Sequence, residues 1–391
     1  MTATTSFWLE QPSEPVSHRP PAPGAVDVVV VGGGVTGCSC ALTLAEGGLR
    51  VRLYDARAVA GGASGRNGGF ALRGGAGPYD EARAAHGPER ARLLWELSER
   101  ALDRLEDLAG DALRRVGSLR LAADRAEREA LERECEALRE DGFEVAWIDE
   151  LRPPLDRLFA GAVCHPRDGA IEPARWVRRL AAHAARAGAE IVESRKVEAA
   201  EVDDIDGAPV VVIATDGLTA ELLPELAPFV RAVRGQVLVT EPLTEQLYGR
   251  PHYARHGFDY WQQLADGRLV LGGRRDASFA TESTAVEETT PLIQAELDGL
   301  VARLLGRLPE VTHRWAGIWG ETPDRLPLAG PVPGRQGVWV AGGYSGHGNV
   351  LGLACGDLVG QVILGATPPE ALLFDPARLL PATGTGHSWE V

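Results

Sequence analysis

Residues 26–37 read Val-Asp-Val-Val-Val-Val-Gly-Gly-Gly-Val-Thr-Gly, and this stretch decides the fold. A short β-branched run that ends in glycines is typical of a buried parallel strand. Helical character follows over residues 35–47, so Gly32, Gly34 and Gly37 form a G-x-G-x-x-G motif between a strand and a helix. The first glycine allows the turn, the second lets the backbone approach a pyrophosphate, and the third lets the helix pack on the strand. The motif therefore predicts dinucleotide phosphates at the helix N-terminus.

An acidic residue supports this interpretation. Residues 51–55 form a second predicted strand, which ends at Asp55. Asp55 follows Gly32 at close to the ~20-residue spacing of the acid that binds a ribose 2′-hydroxyl. A free 2′-hydroxyl suits FAD or NAD better than NADP. The alternative is a glycine-rich turn in another α/β fold.

Two further glycine-rich stretches distinguish between FAD and NAD. Residues 61–70 (GGASGRNGGF) follow the second strand, and residues 342–348 (GGYSGHG) lead into a last predicted helix over 348–364. Glycines let the backbone approach a flat ligand, although residues 61–70 could also form a surface loop. A second helix N-terminus suits a flavin, because peptide N–H groups stabilise its reduced anionic form. The pattern therefore favours FAD.

Composition excludes several classes of protein. The chain has 391 residues, 45% of them hydrophobic, and a net charge of −15, so we expect a large core and no nucleic-acid partner. Lys196 is the only lysine, which excludes a P-loop. Five cysteines without a C-x-x-C pair indicate a reducing compartment and no metal site, so we expect a cytoplasmic protein. No apolar run is long enough to predict a membrane span.

The order of predicted elements indicates a discontinuous architecture. Parallel β-α-β elements lie near residues 26–55, 190–215 and 337–364, and antiparallel strands lie mainly within 230–319. A long helix is predicted over residues 81–108. We therefore predict an α/β fold (α+β overall), in which a Rossmann-like FAD-binding domain is interrupted by a mostly antiparallel β-sheet substrate domain.

We place the domain boundaries where the predicted elements change character. Prolines in the polar N-terminus predict a flexible arm before the first strand. The predicted segments are the arm at 1–24, the FAD-binding domain at 25–80, 165–225 and 325–370, the substrate domain at 81–164 and 226–324, and a C-terminal tail at 371–391.

The motifs, taken in order, resemble those of the FAD-dependent D-amino-acid oxidase-like (DAO) superfamily, which includes glycine and sarcosine oxidases. Within it the chain looks most like the γ-glutamylputrescine oxidase type of amine oxidase. The resemblance covers roughly residues 26–366. Its motifs are residues 32–37 with Asp55, 63–69 (ASGRNGG), 212–217 (VIATDG), 322–327 (TPDRLP) and 343–348 (GYSGHG).

The resemblance implies an amine or amino-acid oxidase or dehydrogenase. Such enzymes transfer a hydride to flavin N5 from the carbon beside an amine nitrogen, the imine hydrolyses, and O2 or another acceptor reoxidises the flavin. The resemblance also implies which positions contact FAD. They are Gly32, Gly34, Val35, Thr36, Gly37, Asp55, Ala56, Arg57, Ser64, Arg66, Asn67, Gly68, Gly69, Val197, Ala214, Thr215, Gly343, Gly346, His347, Gly348 and Asn349.

The same resemblance places Tyr260, Trp319 and Tyr344 around the substrate. Relatives that oxidise α-amino acids have a carboxylate-binding arginine where this chain has Trp319. Monomeric sarcosine oxidase attaches its flavin to a cysteine within the stretch that matches residues 315–319, which has none here, so we expect non-covalent FAD. The same oxidase has a lysine over the flavin where this chain has Val270 or Leu271.

Three further residues are candidates for the chemistry of the site. Arg73 is a candidate for a substrate carboxylate and Glu321 for a cationic amine. His347 is a candidate acid–base group, although we favour a role in shaping the flavin loop. Two alternatives stay open: an FAD monooxygenase or halogenase, whose usual Gly-Asp pair is replaced here by residues 342–343, and a flavin-binding protein without amine turnover.

Overall fold

The computed structural model describes residues 5–13, 15–16, 24 and 26–380. Parts of the predicted arm and of the predicted tail lie outside this range. In chain order the helices are α1 (Phe7–Glu10), α2 (Val35–Glu46), α3 (Tyr79–His86), α4 (Pro88–Ala109), α5 (Arg125–Glu140), α6 (Pro173–Ala187), α7 (Thr219–Leu222), α8 (Phe279–Glu282), α9 (Pro291–Leu305), α10 (Gly348–Ile363) and α11 (Ala371–Phe374).

The strands are short at the start of the chain and longer in its second half. They are β1 (Val28–Val31), β2 (Val51–Tyr54), β3 (Phe70–Ala71), β4 (Leu113–Arg114), β5 (Ser118–Leu121), β6 (Ala146–Ile148), β7 (Ala162–His165), β8 (Gly169–Ile171), β9 (Glu190–Val192), β10 (Val210–Ile213), β11 (Arg231–Pro242), β12 (His252–Ala254), β13 (Asp259–Gln263), β14 (Arg268–Gly273), β15 (Val311–Glu321), β16 (Leu328–Pro331) and β17 (Val338–Gly342).

A six-stranded sheet holds the glycine motif. Its order is β16-β17-β10-β1-β2-β9, and every pair is parallel except the edge pair of β16 and β17. The four valines of β1 are all buried, as the β-branched run predicts for a central parallel strand. Because β1, β2 and β10 are parallel, their carboxyl ends meet at one edge of the sheet, where ligands bind in such folds.

An eight-stranded sheet forms the second layer around the cavity. Its order is β15-β11-β14-β13-β12-β5-β7-β6, and the pairs are antiparallel apart from β12 with β5. The central strands β11 and β15 pair along most of their length, from Arg231 opposite Glu321 to Thr240 opposite Val311. Since side chains alternate along a strand, this register places alternate residues of both strands on one face.

The structure divides the helix that the sequence predicts over residues 81–108. Helix α3 ends at His86 and α4 begins at Pro88, with Gly87 between them at φ +84°. Glycine adopts this backbone angle without steric cost, and proline suits the first turn of the new helix. Helix α4 contacts α10, and Leu102 and Leu105 share a core with α2. The domain boundaries stay a prediction. Helix α4, which the sequence assigns to the substrate domain, packs on α10, a helix that follows a strand of the six-stranded sheet.

The expectation of a flexible N-terminal arm is wrong for the part that the structure describes. Residues 7–10 form α1, and Phe7 and Trp8 are buried. Ser6 Oγ donates a hydrogen bond to the carbonyl of Gly65 at 2.8 Å, and Trp8 Nε1 donates one to the carbonyl of Asn67 at 2.8 Å. The two apolar rings therefore fix this segment on the glycine-rich stretch, despite the prolines that follow it.

We predict that Trp8→Ala lowers the free energy of unfolding by about 3–5 kcal/mol, the usual cost of a large-to-small change in a core. The measurement is urea unfolding of the variant beside wild type. Leu372→Ala is the matched control, because Leu372 is 73% exposed and its truncation should change stability by less than about 0.5 kcal/mol. Equal stability of Trp8→Ala and Leu372→Ala would contradict the fixed N-terminal segment.

Candidate active site

A cavity of about 1860 Å³ runs from the carboxyl ends of β1, β2 and β10 to one face of the eight-stranded sheet. It brings together most of the residues that the sequence predicts for the site. Those that line it are Gly32, Gly34, Val35, Thr36, Asp55, Ala56, Arg57, Ser64, Arg66, Asn67, Gly68, Val197, Ala214, Thr215, Tyr260, Trp319, Glu321, Tyr344, Gly346, His347, Gly348 and Asn349. Gly37, Gly69, Gly343 and Arg73 do not line it.

The glycine motif keeps the floor of the cavity clear. Gly32 has φ +117°, and a Cβ atom there would lie 2.4 Å from the carbonyl oxygen of Ala214, directly after β10. A Cβ atom on Gly34 would lie 2.9 Å from Ser64 Oγ. Gly37 does not line the cavity, but it packs against the glycine turn. A Cβ atom there would lie 1.8 Å from the carbonyl oxygen of Gly32. The turn, the close backbone approach and the helix–strand contact therefore each require glycine.

Asp55 holds the same turn from the end of β2. Its Oδ2 accepts a hydrogen bond from the Gly33 amide at 2.6 Å, and its Oδ1 accepts one from the Arg57 amide at 2.7 Å. Burial raises the pKa of Asp55, and the two amides oppose that shift. The acid that the sequence predicts for a ribose is thus also a support for the glycine turn.

The second and third glycine-rich stretches meet beside this turn. The Val35 amide donates to Ser64 Oγ at 3.0 Å, which joins residues 61–70 to α2. The side chains of Asn67 and Asn349 bond to each other at 3.1 Å, and Asn349 Nδ2 donates to the carbonyl of Phe70 at 2.7 Å. These bonds join residues 61–70 to the first turn of α10. Three distant parts of the chain therefore border one end of the cavity.

Two buried polar atoms at this end of the cavity have no hydrogen-bond partner within the described residues. Thr215 Oγ1 and His347 Nδ1 are buried without a hydrogen bond. His347 is the N-cap of α10, and its side chain does not cap the helix. Buried polar groups are normally satisfied, so this pattern fits a ligand with many hydrogen-bonding atoms. The cradle around Gly32 and Gly34 provides the space for its phosphates.

Comparison with known proteins identifies the family. The model of the DAO family, described as FAD dependent oxidoreductase, matches residues 27–362. The chain belongs to this family. Membership confirms the resemblance drawn from the motifs and makes the protein an FAD-dependent oxidoreductase.

Individual DAO relatives cover nearly the whole chain. The chain is 29% identical to the probable oxidoreductase OrdL of Rhizobium meliloti (strain 1021), over 94% of this chain and 90% of the relative. It is 28% identical to the gamma-glutamylputrescine oxidoreductase of Escherichia coli (strain K12), over 91% of this chain and 86% of the relative. The crystal structure of glycine oxidase from Geobacillus kaustophilus matches with a TM-score of 0.73 and 25% identity, over 94% of this chain and 99% of that chain. The predicted fold class is confirmed by this match.

The residues present fit FAD. The glycine cradle and the N-terminus of α2 would receive the pyrophosphate, with the adenosine towards Asp55 and Val197 and the flavin between residues 66–68 and 346–349. Gly69 and Gly343 act behind the cavity wall, where a Cβ on Gly69 would lie 2.3 Å from Gln262 Nε2. None of the five cysteines lines the cavity.

The face of the eight-stranded sheet towards the cavity carries aromatic rings that lie against glycines. A Cβ on Gly235 would come within 2.4 Å of the Trp319 ring, and one on Gly272 within 2.4 Å of the Tyr260 ring. The two glycines therefore let the rings lie flat on the sheet. Trp261, the next residue after Tyr260, packs in a separate core on the other face.

Two predicted contacts need correction. The Arg73 side chain is buried away from the cavity lining, where Nη1 pairs with Glu99 at 2.7 Å and Nη2 donates to the carbonyl of Glu144 at 2.9 Å. Glu321 lines the cavity but already accepts from two guanidiniums, Arg231 Nη2 and Arg275 Nη2, each at 2.9 Å. Arg73 is thus not placed to bind a carboxylate, and Glu321 is neutralised rather than available to a cationic amine.

The structure adds cavity residues that sequence reasoning missed. Arg120, on β5, and Tyr253, on β12, both line the cavity, and the guanidinium lies 4.8 Å from the ring centroid. Arg275 follows β14 and also lines it. Strands of three or four residues are too short to show an alternation of polar and apolar residues. The position of Arg120 in the cavity therefore follows only from the pairing of β5 with β12.

Burial favours the neutral forms of three ionisable side chains that line the cavity, those of His347, Tyr260 and Tyr344. Burial, with a smaller effect of the Arg120 guanidinium, lowers the pKa of His347 to about 4. Burial raises the pKa of Tyr260 and of Tyr344. At neutral pH these three side chains are therefore uncharged.

Over the described part of the chain, no helix is both long enough and apolar enough to cross a membrane. The same residues include no cluster of three or more His, Cys, Asp or Glu side chains suited to a metal ion.

We predict that Gly37→Ala abolishes FAD binding, because the added methyl group would collide with the Gly32 carbonyl and move α2 away from β1. The measurement is the FAD content of the purified variant. Gly299→Ala is the matched control, because Gly299 also lies within a helix and a Cβ atom added there would have nothing within 4 Å. The control should retain FAD and gain up to about 1 kcal/mol of stability. Full FAD content in Gly37→Ala would contradict the assigned packing.

Proposed function

We propose that the protein oxidises the C–N bond of an amine or an amino-acid-derived substrate. FAD, held by the glycine cradle and residues 346–349, would supply the acceptor for a hydride from the carbon beside the amine nitrogen, which leaves the substrate as an imine. Water then hydrolyses the imine to a carbonyl compound and an amine or ammonia, and O2 or another acceptor takes the electrons from the enzyme. The named activities of the relatives support this reaction class, and the absence of cysteine from the cavity lining supports non-covalent FAD.

The observation that carries the proposal is that one cavity joins the FAD cradle to an aromatic wall. Tyr260 and Trp319 line it together with His347 and Asn349 of the flavin end. Flat rings restrict the orientation of a small substrate and exclude water from it. Such positioning of the reacting carbon supplies much of the rate of a transfer that needs no covalent help from the protein.

The neutral forms of His347, Tyr260 and Tyr344 bear on the protonation state in which the substrate amine binds. With a pKa near 4, the His347 imidazole is neutral at pH 7 and does not act as a general acid. Tyr260 and Tyr344 keep their hydroxyl protons, because burial raises their pKa values. We infer that the substrate amine binds in its neutral form, because Glu321, the carboxylate two residues from Trp319 on β15, is already paired with Arg231 and Arg275. His347 acts as a hydrogen-bonding group at the N-terminus of α10.

The direct test is reduction of the holoenzyme by a panel of primary and secondary amines under argon. Loss of the visible flavin band on addition of an amine is the expected result. NADPH without amine should leave the band unchanged. Reduction by NADPH alone, with no amine active, would contradict the proposal and favour a monooxygenase.

The proposal also predicts the pH dependence of flavin reduction. Because the lowered pKa leaves His347 neutral above about pH 5, the rate between about pH 6 and 9 should rise only with the fraction of neutral amine. His347→Asn should leave the shape of this profile unchanged. An inflection near pH 6.5 in wild type that disappears in His347→Asn would show that the imidazole ionises during the reaction.

A further inference from the structure

A group of side chains beside Trp319 has no part in the chemistry described so far. We name it the Arg275 cluster: Arg275, Arg231, Glu321, Phe258 and Phe279. All five line the same cavity as Trp319. Glu321 and Arg231 stand directly opposite each other on β15 and β11, and Arg275 reaches them from the turn after β14.

Aromatic rings surround the Arg275 guanidinium. Its central carbon lies 5.1 Å from the ring centroid of Phe258, 5.2 Å from that of Phe279 and 5.7 Å from that of Trp319. Rings at this distance hold a guanidinium by cation–π attraction and remove water from around it. The N–H groups of arginine lie along the edge of the guanidinium plane, so the cage fixes the direction in which they point.

Most N–H groups of the Arg275 guanidinium form no hydrogen bond within the described residues. Nη2 donates to Glu321 Oε1 at 2.9 Å, and within the described residues no other side-chain hydrogen bond of Arg275 is formed. The side chain keeps 24% of its surface exposed, although it sits in the cavity wall. A guanidinium has five N–H donors in a fixed fork, so this arrangement leaves donors for a planar acceptor.

The local charge also favours an anion. Arg231 shares the carboxylate of Glu321 with Arg275, and Arg325 lines the cavity with no side-chain partner among the described residues. Two guanidiniums thus share one carboxylate, and a third guanidinium lies in the same cavity.

Asp276 and Asp324, which adjoin Arg275 and Arg325 in the chain, do not neutralise this positive charge. Asp276 is paired with Arg255, and Asp324 is paired with Arg378. A negatively charged ligand would therefore gain favourable interactions here that a neutral one would not.

We propose that Arg275 binds a carboxylate of the substrate, so that the enzyme selects amines that also carry a carboxylate. Arg275 is then the specificity-determining residue, and Glu321 is a positioning residue that holds its fork beside Trp319. This inference rests on the proposed amine oxidation for the identity of the substrate. The binding of a carboxylate to Arg275 can be measured without turnover.

The first experiment measures binding to the oxidised holoenzyme by the shift of the flavin band and by the melting temperature. The probes are butanoate, hexanoate and octanoate, each beside its uncharged amide. We expect at least one carboxylate to bind about tenfold or more tightly than its amide. Arg275→Gln should remove this preference while the amide binds as before, and Arg275→Lys should keep part of it, because lysine retains the charge but lacks the fork.

The control variant is Arg307→Gln, which removes an exposed arginine paired with Glu245 outside the cavity lining. It should retain the full preference. FAD content and melting temperature without ligand show whether each variant is folded. Equal binding of every carboxylate and its amide to wild type, or a preference that survives in Arg275→Gln, would overturn the proposal.

The second experiment separates this inference from the proposed function. Flavin reduction is compared between straight-chain amines and the same amines with a terminal carboxylate. Faster reduction by the carboxylated amines in wild type but not in Arg275→Gln supports both proposals. If carboxylated amines reduce the flavin no faster than simple amines, or are equally favoured in wild type and Arg275→Gln, the role of Arg275 is wrong and amine oxidation stands. If no amine reduces the flavin but carboxylates bind through Arg275, amine oxidation is wrong and the anion site stands.

Discussion

The close contact between Gly37 and the carbonyl of Gly32 is the constraint on which the site depends. The space for a single hydrogen atom there sets the distance from α2 to β1. That distance places the N-terminus of α2 at the edge of the sheet, where the positive end of the helix dipole attracts negative charge. Gly32 also closely approaches Ala214, the residue after β10, so the same turn fixes the end of the neighbouring strand.

Polar side chains connect this glycine turn to the other segments that border the cavity. Asp55 binds the amides of Gly33 and Arg57, and Ser64 binds the amide of Val35. Asn67 and Asn349 then connect the second glycine-rich stretch to α10. These bonds join separate segments of the chain, so the FAD end of the cavity is preorganised before the cofactor binds. The substrate end is built differently, from flat aromatic rings and paired arginines on strands.

The sequence predicts the parts of this arrangement that rest on strong local patterns. The β-branched run of β1, the glycine motif and Asp55 locate the FAD end, because turns, close approach and helix dipoles each require particular residue types. The antiparallel strands β11 and β15 are also predicted, mainly within residues 230–319.

Other parts depend on contacts between distant segments. The prolines of the N-terminal segment predict a loose arm, whereas the burial of Phe7 and Trp8 decides its structure. Arg73 and Glu321 are correct in residue type for a ligand, but ion pairs with Glu99, Arg231 and Arg275 determine where their charges go. Arg120 lies on the short strand β5, and Arg275 lies in the turn after β14. Neither segment is long enough to show a hydrophobic period.

The most direct test of the account is a titration of the FAD-free protein with FAD and, separately, with riboflavin. Because we propose that the glycine cradle binds the pyrophosphate and that Asp55 binds the adenosine, we predict one FAD bound per chain and far weaker binding of riboflavin. Riboflavin that binds as tightly as FAD, or a protein that binds neither, would contradict it.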